Sequence, residues 1–367
     1  MSAYIMTQFP NPYQSLPPTA FWRTGVAEPG LDGLTGLWAS RWQLPGDARF
    51  ATFGSCFAQH ISRAMKARKV AWVDGEPAPW SASPELAAEF GYGVFSARTA
   101  NIYSAAQFRL LLALAAGQGD PDAPAIWQDG DRYRDSLRPV IEPAGFASRA
   151  EALASRKSML RGLARAVTGS DVVIFTLGLT EGWEDANTGL PFAVCPGTMG
   201  GRFDPDQHRF VNYRAAQIRE DLDACMQHIR TLNPDARMLL TVSPVPLTAT
   251  ASGQHVLLAT TRSKSVLRGV AGEMVDDDAR VDYFPSYEII TGAPTASRFF
   301  EENLRGVRPE GVAMVMQHFF AGLNISAPAR AVQEPDRRLD EAREMRRVMR
   351  DEHLACEEAM LEAFNGR

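Results

Sequence analysis

The run Val172-Val-Ile-Phe-Thr-Leu177 constrains this chain most. It is apolar and β-branched without alternation and stops at Gly178, which fits a strand covered on both faces. Three other runs share its form: Arg49 to Phe53 before Gly54, Arg237 to Val242 before Ser243-Pro244, and Val281 to Phe284 before Pro285. Between them lie stretches with helical spacing. Phe57, Ile61, Ala64, Met65 and Arg68 mark one. Others cover 104–116, 148–167, 214–232 (stopped by Asn233-Pro234) and 262–276, and a last one opens at Pro309-Glu310 and runs to about Gly322. Such alternation predicts an α/β fold, with a mainly parallel sheet between helical layers. Ligands bind these sheets beyond the carboxyl ends of the strands. The segments leaving those ends are 54–60, 178–185, 243–255 and 285–292, so the site is sought there.

Bulk properties narrow the function classes. The chain has 367 residues, 45% hydrophobic and 22% charged, enough for a large core. A net charge of -5 lacks the basic footprint of a nucleic-acid binder. No apolar run approaches the roughly 18 residues of a membrane span, and the polar, proline-containing start predicts no secretory leader. The cysteines, Cys56, Cys195, Cys225 and Cys356, form no C-x-x-C pair. Reduced thiols in a cytoplasm are expected, with no metal site and no cofactor. The glycines Gly197, Gly200 and Gly201 match neither phosphate-loop fingerprint. Residues 1–47 are expected to form an irregular arm over the core, burying Phe21, Trp22, Trp38 and Trp42. Residues 48–325 form the α/β domain. Residues 326–367 read as a charged helical tail with a broken apolar stripe. That tail is either a solvated surface helix or, through residues 330–367, a contact for homo-oligomers.

The chemistry concentrates at Gly54-Ser55-Cys56. Glycine at the strand end permits a tight turn. The residues after it open a helix, whose unpaired N–H groups and dipole favour negative charge and hence a nucleophilic thiolate. His60 follows Cys56 by four residues, on one helix face. The competing reading is structural: Ser55 caps the helix and Cys56 packs as a small apolar group.

The stretch Phe53-Gly-Ser-Cys-Phe-Ala-Gln-His-Ile61 resembles the signature of the bacterial GSCFA domain family. The resemblance continues through Phe175-Thr-Leu-Gly-Leu-Thr-Glu-Gly-Trp183, Thr241-Val-Ser-Pro-Val-Pro246 with Ser263-Lys-Ser265, and Asp282-Tyr-Phe-Pro-Ser-Tyr-Glu288, across about residues 48–322. It implies kinship with the SGNH (GDSL-like) hydrolases: a three-layer α/β/α, flavodoxin-like fold carrying esterases and acyltransferases. Superposing the family pattern puts Cys56 at the nucleophile position, and a one-residue shift would favour Ser55. Oxyanion contacts implied by the resemblance are Gly54, Gly93, Asn101, Gly178 and Thr180, the last standing where relatives have asparagine. The relatives' Asp-x-x-His before the final helix has no counterpart in residues 301–310. The base is therefore expected from His255, in the loop after the third strand, ahead of His60 and His208. Glu181, with Glu184 and Asp185 near it, is a candidate acid–base group, and Arg98 could hold an anionic substrate group. The expected function is a hydrolase or acyltransferase acting on an ester or thioester, including an acylated glycan. The rivals are a binding protein that kept the fold without catalysis, and a scaffold acting through the tail.

Overall fold

A computed structural model describes residues 11–323 apart from 32 and 296, together with 361 and 363–365. In chain order it contains β1 (Phe50–Gly54), α1 (Ala58–Ala67), α2 (Pro84–Glu89), α3 (Ala105–Ala115), β2 (Ile126–Asp129), β3 (Arg132–Asp135), α4 (Arg149–Thr168), β4 (Val172–Leu177), β5 (Glu181–Asp185), β6 (Pro191–Phe192), β7 (His208–Asn212), α5 (Ala215–Leu232), β8 (Arg237–Val242), α6 (Val256–Asp277), β9 (Val281–Phe284), α7 (Ser286–Thr291) and α8 (Pro309–Gly322).

The central sheet has the order β1-β4-β8-β9, all parallel, and uses the four runs read from the sequence. Beyond β1 the chain adds a rudimentary fifth member. Phe50 pairs with Trp72 in parallel, and Phe50 N–H and Val73 N–H exchange bonds with Ala71 and Phe50 carbonyls at 2.8 Å. Side chains alternate across the sheet, as strand geometry requires. Val173, Phe175 and Leu177 join α3, α4, α5 and α6 in one core. Val172 and Ile174 join α1, α7 and α8 in the other. The result is the expected three-layer α/β/α sandwich.

Helix starts follow local capping. The Ser104 and Ser148 hydroxyls accept bonds from Gln107 N–H (3.2 Å) and Glu151 N–H (3.1 Å), fixing the first residues of α3 and α4. Differences from expectation are also local. Helix α6 begins at Val256, several residues before the apolar period becomes legible, because Leu257 and Leu258 face solvent and break the pattern. Residues 181–185 form β5, in an antiparallel sheet β6-β5-β7, instead of a loop. Residues 286–291, also expected as loop, form the short helix α7.

In the N-terminal segment, Trp38 stacks on Phe319 (6.2 Å) and meets Phe284 edge-on (5.2 Å). Trp42 Nε1 donates to Ala279 O (2.9 Å), and Arg41 Nη1 to Val281 O (2.8 Å). Phe21 and Trp22, expected to be buried, are 41% and 67% exposed, because they sit in short helical turns that pack on one another. The charged stretch 330–360, with His353, Cys356 and the oligomer contact expected there, lies outside the described residues. No described helix is long and apolar enough to cross a membrane.

Candidate active site

Three segments converge at the carboxyl ends of β1 and β4. Gly54 has φ +133°, and a Cβ there would collide with the Thr176 carbonyl oxygen, so β1 and β4 approach this closely only with glycine. Ile102 N–H donates to Gly54 O (2.9 Å). Tyr103 O accepts from both Gly178 N–H (3.1 Å) and Leu179 N–H (2.9 Å). The segment 100–103 is thereby stitched between the two strand ends. Ala100 reaches this path with φ +55°, a left-handed conformation costing a residue with a side chain about 1–2 kcal/mol.

Ser55 sits at the centre. Its residue is 2% exposed, and a Cβ on Gly178 would stand 3.1 Å from the Ser55 Cβ. Its N–H is held by Thr176 O (3.1 Å), while Oγ has no hydrogen-bond partner. Leaving a buried hydroxyl unpaired costs about 1–3 kcal/mol. The capping alternative fails, because Phe57 occupies the N-cap position of α1 and no side chain caps that helix. Cys56 is half-buried, at the first turn before α1. The Phe57 N–H makes no hydrogen bond among the described residues, as expected of an uncapped helix start.

Asn101 is brought to this turn. It is buried, and its Oδ1 accepts from Nε2 of Gln59 (3.3 Å), the second residue of α1. Gly178 is pinned from the other side by α6. The fully buried Lys264 Nζ donates to Gly178 O (2.7 Å), and Ser263 Oγ accepts from Thr180 N–H (2.9 Å). Sequence reasoning did not assign these two a role; a lysine on the apolar face of a long helix was the available signal. Replacing Gly178 with alanine forces a Cβ to 2.9 Å from Tyr103 O and onto Ser55. We expect Gly178→Ala to lower stability by about 1–3 kcal/mol in urea melts.

The other expected site residues are placed partly beside this turn and partly away from it. Gly93 stands beside the far half of α1, where its carbonyl accepts from Lys66 Nζ, because the 90–94 turn closes on that face of the helix. Arg98 is 6% exposed and committed to structure: Nε donates to Phe90 O (2.8 Å), Nη2 pairs with Glu142 (3.1 Å), and the guanidinium stacks on Tyr92. The Thr180 hydroxyl donates to Asn212 Oδ1 (2.8 Å), so its proton is taken by β7. His255 is exposed and is the N-cap of α6, its Nδ1 accepting from Leu257 N–H (3.1 Å). His208 Nδ1 likewise accepts from Asp204 N–H (3.0 Å). Burial lowers the pKa of His228, on α5, and His318, on α8. His60 is buried on α1, its ring 5.1 Å from that of Phe57.

Next to this turn opens a cavity of about 430 Å³. Its walls include Tyr103 and Leu179 at the near end, then Glu181 and Trp183 of β5, Phe210 of β7 and Leu247; Ser55 and Cys56 are not among them. The Glu181 carboxylate accepts from Thr250 Oγ1 at 2.7 and 2.9 Å. Cys195 also faces the cavity, and burial raises its pKa to about 11, so it stays a thiol at neutral pH. No group of three or more His, Cys, Asp or Glu among the described residues is arranged to hold a metal.

No curated protein matches the chain. One solved structure similar to it is the crystal structure of an acetyl esterase mutant with acetate ion, at 14% identity and a TM-score of 0.25. The match covers 44% of this chain and 64% of that one, so the chain spans less than two thirds of that esterase's length. The model of the GSCFA family matches residues 49–319, which run from β1 into α8 and include every segment meeting at the Gly54 turn. The chain therefore belongs to the GSCFA family.

Proposed function

We propose that this protein cleaves or transfers an acyl group held as an ester or thioester, with Cys56 as nucleophile. One observation carries the reading: at the carboxyl ends of β1 and β4, Asn101 and the N-terminal turn of α1 are brought together around Gly178. A thiol at that turn stands next to backbone and amide donors suited to a developing oxyanion. In the reaction, Cys56 sulfur forms a bond to the acyl carbon and the leaving oxygen or sulfur departs with the proton from the thiol. Water, or an acceptor hydroxyl, then attacks the acyl-cysteine, and the thiol regains a proton. The Phe57 N–H and the Asn101 amide supply the oxyanion contacts; Gly178, held by Lys264, keeps the floor flat.

His60 is the imidazole assigned to proton transfer. His255 lies exposed at the start of α6, and His208, His228 and His318 lie on β7, α5 and α8. His60 stands one helical turn after Cys56. The test uses purified protein with p-nitrophenyl acetate and an acyl thioester. We expect His60→Gln to lower kcat about a hundredfold while His255→Gln changes it less than twofold. The reverse order would transfer the proton role to His255.

A further inference from the structure

Beyond the reacting turn, the cavity has a composition of its own. Residues of one strand face alternate in steps of two, so Glu181 and Trp183 of β5 point the same way and both line it. Trp183 pairs across the strands with Phe210. Its ring meets Phe210 at 5.6 Å and Phe203 at 5.3 Å, both edge-on. Such pairs hold one another in place, so the aromatic wall is formed before any ligand arrives. Leu179, Leu247 and Tyr103 complete a mainly apolar lining, with Glu181 and Thr250 tied to each other at one side. The volume of about 430 Å³ falls within the range of small-molecule pockets.

The chain's own end touches the same walls. Leu361 and Phe364 line the cavity, and Phe364 keeps 51% of its surface exposed, so it sits at the mouth. Two apolar side chains, brought from the far end of the sequence, show what kind of surface these walls take.

We propose that this cavity is an apolar acyl-chain subsite, closed at its mouth by Leu361 and Phe364, which an incoming chain displaces. The inference rests on the acyl-transfer reading for its role in turnover. The cavity's near end, Leu179 and Tyr103, adjoins Gly178, against which Ser55 packs. A carbonyl at the Cys56 turn would therefore send its chain past Leu179 toward Trp183. A neutral apolar chain suits the lining, while the Glu181 carboxylate disfavours an anionic ligand in the same space.

Binding and turnover test it separately. Octanamide, uncharged and unreactive under these conditions, is titrated calorimetrically into the full-length protein, with acetamide as control. We expect octanamide to bind and acetamide not to. The double variant Leu361→Asp/Phe364→Asp, which removes the competing apolar groups, should bind octanamide about tenfold more tightly. Phe210→Ala or the loop variant Phe203→Ser should weaken binding about tenfold, each variant being accepted only if its melting temperature shows a folded protein. In parallel, the octanoate-to-acetate ratio of kcat/KM for p-nitrophenyl esters should fall about tenfold in Phe203→Ser. Absence of octanamide binding in both the wild type and the double variant overturns the subsite. Equal affinity in those two proteins overturns the closure by the C-terminal residues. Octanamide binding without any ester turnover sustains the subsite and rejects the acyl-transfer reading. Turnover without chain-length preference or octanamide binding does the opposite.

Discussion

Cys56→Ala should abolish ester and thioester turnover, lowering kcat by about a thousandfold or more, whereas Ser55→Ala should lower it less than tenfold. The asymmetry follows from the two environments. Ser55 is buried against Gly178 with its N–H fixed to Thr176, so its Oγ has little freedom to follow a tetrahedral intermediate. Cys56, one residue on, is half-buried and lies where the helix dipole favours a thiolate. Mass spectrometry after a brief exposure to iodoacetamide supplies a second readout. Cys56 should be alkylated first, ahead of Cys195, whose pKa is raised to about 11 by burial, and of the fully buried Cys225. If Ser55→Ala proves the inactive variant while Cys56→Ala retains turnover, the nucleophile is the serine. If neither substitution changes an observed activity, the Gly54 turn is not the reacting centre.

Much of this site was legible as topology. Unbroken apolar strands ending at Gly54 and Gly178 announce a parallel sheet, and a parallel sheet locates ligands at its carboxyl edge. The glycines themselves are explained by the close approach of β1 to β4 and of Tyr103 to Gly178. What the sequence hid is direction. Arg98 looked like an exposed anion hook, but burial among Phe90, Ile141 and Glu142 is decided by segments far along the chain. His255 lies on the expected edge of the sheet, yet a histidine at a helix start competes for the orphan N–H groups there, and the cap wins. Gly93 carries a turn-forming φ of +68°, but the turn it makes belongs to the flank of α1. Conversely, Asn101 meets α1 directly after Ala100, which adopts a left-handed conformation that is rare for alanine. The cavity was hidden for a related reason. Its wall is a three-stranded antiparallel sheet of short, partly polar strands, and Glu181-Gly-Trp-Glu-Asp185 carries charges where a strand pattern calls for apolar residues.

The largest stability effect belongs to a group remote from the Gly54 turn. Asp135, at the end of β3, is fully buried between Arg138 and Arg156, which are also fully buried. Arg138 Nε donates to Asp135 Oδ2 (3.0 Å), and Arg156 Nε donates to Oδ1 (3.1 Å). The remaining guanidinium donors reach the carbonyls of Arg98, Pro121, Pro124 and Ala125 and the hydroxyl of Ser155. Burial alone would raise the Asp135 pKa. The attraction of Arg156 and Arg138, with their hydrogen bonds, outweighs it and holds the carboxyl below its ordinary value. Removing the carboxylate leaves two guanidinium groups buried without their counter-ion. Asp135→Ala should therefore cost about 3–5 kcal/mol in urea unfolding, far beyond a typical surface substitution. Because the folded pKa is depressed, the cluster's contribution is fully present above the unfolded value near pH 4 and is lost as pH falls through the folded value. Wild-type stability should decline with acid across that window, and Asp135→Asn, already less stable at neutral pH, should lack that part of the decline. A loss under about 1 kcal/mol in either variant, or an unchanged acid slope, would mean that the two arginines are held by backbone carbonyls alone. In that case the hairpin β2–β3 would be anchored to α4 without help from charge.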